Sequence, residues 1–178
     1  MKPTDAMAVA DIADKALAAF FAFALFGNIS VDVWMGADID LRTTGIGFHQ
    51  TVYASGAAYD PLFLANGPYM RWSALATAWL YAPYYAAAIP TLLRGDGLGS
   101  GWLRQYAWLY AIGMLVNMSI VLALELRELV AATSLAPSLG AYWIPTGAYW
   151  LVPLYVLDRL VREQIMTQLL TRSGRKAS

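Results

Sequence analysis

In this chain of 178 residues, 59% are hydrophobic and only 13% are charged, whereas about a quarter of the residues in an ordinary soluble domain are charged. One small soluble core cannot bury that much apolar surface, so lipid is the economical solvent, and the length indicates a single domain over residues 1–178. A formal net charge of zero leaves no electrostatic case for nucleic acid, and the lack of cysteine excludes disulfides and thiolate chemistry.

Four apolar stretches approach the roughly 20 helical residues that cross a hydrocarbon core. They lie at about 16–35, 72–93, 103–124 and 140–160. No period-2 alternation appears, which argues against a membrane barrel. The expected fold is an all-α membrane protein, a four-transmembrane-helix bundle with a long structured first outer loop.

The first stretch is expected to be a retained helix rather than a signal peptide. Its leader carries Asp5, Asp11 and Asp14 beside only Lys2 and Lys15, and no clean small-x-small cleavage site follows. Asn28 and Asp32, four residues apart, share a face near its outer end. A polar pair inside a span is costly and marks a candidate site. The bland alternatives are an Asp that reaches interfacial water or one satisfied by Asn117.

The connection at 36–70 is too long to be a bare turn. It is also too apolar for disorder, with Phe48, Tyr53, Tyr59, Leu62, Phe63 and Leu64. It is expected to fold as a lid over the outer end of the bundle. It holds His49, the chain's single histidine, and Asp60. A lone histidine is a weak basis for a metal site, and neither a metal nor a cofactor is expected.

The second stretch carries Ser73, Thr77 and Tyr81 at i, i+4, i+8. Hydroxyls at that spacing can line a pocket, and they also join membrane helices to one another. Pro83 and Pro90, with Pro145 and Pro153 in the fourth stretch, each remove a backbone donor and kink a helix. Kinked helices can bow apart around a cavity or serve architecture alone. The glycine-rich run 94–101 predicts a tight turn. The third stretch places Asn117 at mid-span, where it must find partners. The fourth offers Thr146, Tyr149 and Trp150, the last two able to wall an apolar site. Glu125 and Glu128 around Arg127, and Asp158 beside Arg159, read as solvated helix ends.

With four spans, the two termini and the 94–101 turn share a side that holds nine of the twelve Lys and Arg residues. The positive-inside rule makes that side cytoplasmic. Trp34, Tyr69, Trp72, Trp102, Tyr142 and Trp143 fall at the expected interfaces, as an aromatic belt does. Abundant Ala and Gly in the spans are compatible with a homodimer.

Several short motifs resemble the EXPERA family of membrane proteins, which includes emopamil-binding sterol isomerases and the sigma-two receptor. They are Tyr59-Asp-Pro-Leu-Phe-Leu-Ala-Asn-Gly-Pro-Tyr-Met-Arg-Trp72, then Tyr81-Ala-Pro-Tyr-Tyr85 with Pro90 and Leu93-Arg-Gly95. Trp102-Leu-Arg104 with Tyr110, Tyr149-Trp-Leu-Val-Pro153 and Val156-Leu-Asp158 complete the set, over about residues 20–163. The resemblance implies a water-poor cavity between the helices that takes sterols and cationic amphiphiles through acidic residues. It aligns Asp60 with the Asp of the family's Asp-Pro motif and brings Asp32 near the acid of its first helix, with a register one turn on pointing to Gly36 or Asp38 instead. The family's second-helix Glu has no counterpart, since Leu75 and Thr77 stand there, and the isomerase branch's acid on the third helix is also missing.

Two functions fit this reading. One is an intramembrane isomerase or cyclase acting on a sterol- or terpenoid-like lipophile. Asp32 would be its acid, Asp60 or His49 a proton relay, and Asn28 and Asn117 orienting groups. Thr77 and Tyr81 would line the pocket, and Tyr149 and Trp150 would stabilise a cation through their ring faces. The other is a non-catalytic sterol- or lipid-binding membrane protein. The expected partners are a lipophilic small molecule and membrane lipid.

Overall fold

The computed structural model describes residues 3–59, 66–131 and 139–176; Asp60 and the next five residues of its motif, 61–65, lie outside them. The described residues form helices joined by turns, with no strand among them. The elements are α1 (Pro3–Gly27), α2 (Val33–Gly36), α3 (Gly47–Tyr59), α4 (Pro68–Ala76), α5 (Ala82–Leu93), α6 (Gly101–Ala131) and α7 (Leu139–Lys176). A π turn at Asn28–Asp32 joins α1 to α2 without a break, and a second at Thr77–Tyr81 joins α4 to α5. Four long rods result, with α3 as an extra helix between the first and second.

Two helical segments, Ala10–Gly36 and Gly101–Leu124, are long and apolar enough to cross a membrane. The second and fourth predicted stretches are helical as well, within Pro68–Leu93 and Leu139–Lys176. The last of these runs well past the predicted end at 160. At 1.5 Å per residue its 38 residues extend about 57 Å.

The rods meet through small and aromatic side chains. Ala18, Ala24, Ala88, Ala107 and Ala111 are buried and let the backbones approach closely. Phe21, Tyr84, Tyr85 and Tyr110 fill the centre. Phe21 stacks on Tyr85 at 4.9 Å between ring centroids, and Tyr84 stacks on Tyr110 at 5.2 Å. Such offset and tilted pairs suit the ring quadrupole.

The second π turn has a local cause. Pro83 has no N–H to offer, and in an α-helix its ring would crowd the carbonyl four residues back, at Trp79. Widening the preceding turn relieves that crowding, and the Ala82 N–H closes it on the Thr77 carbonyl. The first π turn closes in the same way, from the Val33 N–H to the Asn28 carbonyl. The two wide turns pack against each other.

At the opposite end, the predicted tight turn follows α5, with positive φ at Gly95, Gly97, Gly99 and Gly101. Gly97 is required by its backbone angle, and a side chain there would also push on the flexible end of Arg159. Its φ is +62°, and a Cβ there would fall 2.7 Å from Nη2 of Arg159. Arg159 on α7 pairs with Asp14 on α1, and Glu163 links Arg159 (3.2 Å) to Arg104 (2.5 Å) on α6. Asp14 is only 4% exposed. Arg159 is therefore not a bland solvated group, whereas Asp158 is solvated as expected and pairs with Arg162 on the exposed face, although it lies within α7 and not at its end.

The predicted lid is partly helical. Phe48 meets Phe26 at 5.5 Å, and Val52 and Tyr53 pack on Val31, Met35, Leu41 and Ala74. The helix α3 thus docks beside the first π turn.

Candidate functional site

The two π turns hold most of the polar groups singled out from the sequence. Asn28 is buried, and its Nδ2 donates to the Thr77 carbonyl oxygen at 2.9 Å. Thr77 Oγ1 lies 2.6 Å from Asp32 Oδ2 and 2.8 Å from the Ala74 carbonyl oxygen. One hydroxyl hydrogen cannot serve two acceptors fully. The set closes with one donor per contact when the Asp32 carboxyl carries a proton: Asp32 then donates to Thr77, and Thr77 donates to Ala74. Thr77 thus holds the Asp32 carboxyl at the cavity wall.

A second polar chain lies alongside. The Tyr69 hydroxyl donates to Asn117 Oδ1 at 2.8 Å, and Asn117 Nδ2 donates to Ser73 Oγ at 2.9 Å. Asn117 is thus satisfied by the second rod rather than by Asn28 or Asp32.

Both chains border one cavity of about 180 Å³ between the four rods. Asn28 and Asp32 come from the first rod, Ser73 and Thr77 from the second, Asn117 from α6, and Thr146 and Tyr149 from α7. Met35, Met70, Met114, Met118, Ala74 and Val121 complete the walls. Drug-sized sites run from roughly 300 to 1,000 Å³. A larger ligand would have to displace methionine side chains, which are flexible enough to yield, or extend out between the rods. The methionine wall was missed from the sequence. Its only signal was Met114 and Met118 at i, i+4, flanking Asn117.

Three predicted residues stand elsewhere. Tyr81 leaves the Ser73–Thr77 stripe because the π turn changes the helical phase between Thr77 and Tyr81. Its ring packs edge-on to Tyr110 at 5.6 Å in the aromatic core. Trp150 packs against that same core and does not line the cavity. His49 is buried beside Trp34, with Nε2 2.6 Å from the Ser30 carbonyl oxygen and Nδ1 3.0 Å from Thr44 Oγ1. Both ring nitrogens are thereby occupied, Nε2 anchoring α3 to the first rod and Nδ1 tying it to the turn before α3, and His49 does not border the cavity. Asp60 lies outside the described residues, so Asp32 is the one carboxyl among the described wall residues. No cluster of three or more His, Cys, Asp or Glu able to hold a metal occurs among the described residues.

Around the first loop, Arg42 makes a bidentate pair with Asp40, 2.9 and 2.6 Å, and stacks its guanidinium 4.9 Å from the Tyr53 ring centroid. The hydrogen bonds from Arg42 hold the Asp40 carboxyl below its usual range. Arg71 reaches from α4 to Asp38 at 2.6 Å.

No family model, curated protein or solved structure matches this chain.

Proposed function

We propose that the chain is a four-span membrane protein with both termini cytoplasmic, and that it isomerises or cyclises a sterol- or terpenoid-like lipophile in the Asp32 cavity. Support for four spans comes from large apolar side chains left outward on every rod. Examples are Phe23 at 65% exposure, Trp79 at 70%, Leu109 at 54% and Leu151 at 68%. Faces of this kind are costly in water and natural in lipid. The cytoplasmic placement of the termini rests on the nine cations of that side. The EXPERA resemblance motivates the substrate class.

The observation that carries the chemistry is the Asp32–Thr77–Ala74 chain at the cavity wall. In the proposed reaction, protonated Asp32 gives its proton to an alkene carbon or an epoxide oxygen of the ligand. The positive charge that results on carbon lies near the face of Tyr149. The Asp32 carboxylate then removes a proton from a neighbouring carbon, forming the new double bond. Protons balance, and no second acid is needed.

A second reading, a non-catalytic lipid binder, is favoured by the position of His49, which leaves Asp32 without an imidazole or a second carboxyl among the described wall residues. Native mass spectrometry with lipid extraction, on wild type and Asp32→Asn, tests both. A sterol or terpenoid bound to wild type and lost in the variant is the expected result. Absence of any bound lipophile in both forms would overturn the proposal. Incubation with that compound then separates the readings: a rearranged product means an enzyme, unchanged recovery a binder.

A further inference from the structure

A second cavity, of about 170 Å³, shares Met35 as a wall residue with the Asp32 cavity. Its other walls include Asp38, Asp40, Arg42, Tyr53 and Asn66. The two spaces differ in character. The outer one is bounded by charged side chains that reach solvent, Asp38 at 61% and Arg42 at 62% side-chain exposure. The inner one is lined by methionines, amides and hydroxyls between the rods. Met35 itself is only 4% exposed.

The backbone around Met35 is fixed. Its carbonyl oxygen accepts from Asn66 Nδ2 at 3.2 Å and from the Asp38 N–H at 3.0 Å. Asp38 and Asn66 both hold positive φ, +60° and +40°. Non-glycine residues keep such conformations only where the surroundings impose them. With its backbone held, the part of Met35 free to move is its unbranched thioether side chain, which has three rotatable bonds and a low cost of rearrangement.

We propose that the outer cavity is an aqueous vestibule to the Asp32 cavity and that the Met35 side chain is the movable partition between them. It admits water and small polar species to Asp32 while keeping the lipophile's site dry. The idea rests on the reading of the Asp32 cavity as a lipid-bounded site, and it assigns the polar route into that site.

The chain has no cysteine, so single reporters can be read without background. A Ser73→Cys reporter sits in the wall of the inner cavity, and an Ile39→Cys reporter in the wall of the vestibule. Each is labelled in the full-length protein in lipid nanodiscs with a charged, membrane-impermeant methanethiosulfonate. Ile39→Cys should react quickly whatever stands at position 35. Ser73→Cys should react slowly with Met35 present, about tenfold faster with Met35→Ala, and more slowly still with Met35→Phe. If Met35→Ala gives no folded protein, Met35→Phe alone decides. Ser73→Cys rates that ignore position 35, or an unreactive Ile39→Cys, would overturn the partition. Because the readout is thiol access, the proposal stands or falls separately from lipophile turnover.

Discussion

The Asn28 side chain staples two π turns together, its amide nitrogen 2.9 Å from the Thr77 carbonyl oxygen. That oxygen also closes the second π turn with the Ala82 N–H. A carbonyl has two lone pairs, so both donors are accommodated. Wide turns of this kind recur at functional sites because they re-aim side chains that a regular helix would place elsewhere. Here they turn Thr77 toward Asp32 and Tyr81 toward Tyr110.

Removing the staple should loosen the site before it unfolds the protein. Asn28→Ala leaves the Thr77 carbonyl with its backbone partner, so the expected loss is about 1 kcal/mol. Amide hydrogen exchange should rise locally over residues 77–82. Asn28→Asp should be worse, because it turns a carboxyl oxygen toward a carbonyl oxygen. Equal exchange in all three proteins would show that the contact does not hold the turns.

The Asp14–Arg159 pair ties α1 to α7 at the opposite end, across 145 positions of sequence. Asp14 is the more buried partner, with 6% side-chain exposure against 21% for Arg159. Breaking a buried pair from one side strands a charge and costs about 3 kcal/mol or more. Arg159→Met is therefore expected to lower the melting temperature in detergent more than Asp14→Asn does, since Glu163 still compensates Arg159. The double variant Asp14→Leu with Arg159→Met should recover much of the loss, because apolar packing can replace an ion pair. Strictly additive losses would mean that the two residues do not act as a pair.

Acid should release the first loop in a defined direction. The hydrogen bonds from Arg42 depress the Asp40 carboxyl below its ordinary value of 3.8. A depressed folded value favours the folded loop while Asp40 is ionised, so the contribution is complete above 3.8 and is lost as the pH falls toward the folded value. Both side chains reach solvent, so the effect is local and small. Hydrogen exchange over residues 40–46 should be faster in the Arg42→Ala variant at about pH 6, and the difference should shrink as the pH falls below 3.8. A variant effect of the same size above and below 3.8 would detach the clamp from the charge of Asp40.

Much of the candidate site was legible from the sequence because it follows helical spacing. Asn28 with Asp32, and Ser73 with Thr77, are i, i+4 pairs, and both pairs do border one cavity. Asn117 and Tyr149 were legible as polar or amphipathic groups in apolar helices, which must turn inward. The glycine-rich turn was equally plain, since several positive φ angles in a short link demand glycine.

What the sequence by itself determined is an all-helical chain with strongly apolar rods and a few polar groups that must find each other. The tertiary structure decided which partners they found. It moved Tyr81 out of its stripe, because a π turn shifts helical phase by an amount that periodicity counting does not see. It drew His49 into anchoring α3, because a buried imidazole with a carbonyl and a hydroxyl in reach satisfies both ring nitrogens there. It joined Asp14 to Arg159, a pairing between distant positions that no local pattern encodes. It also placed Met35 in the walls of two cavities, since what a side chain borders is a property of packing and not of order along the chain.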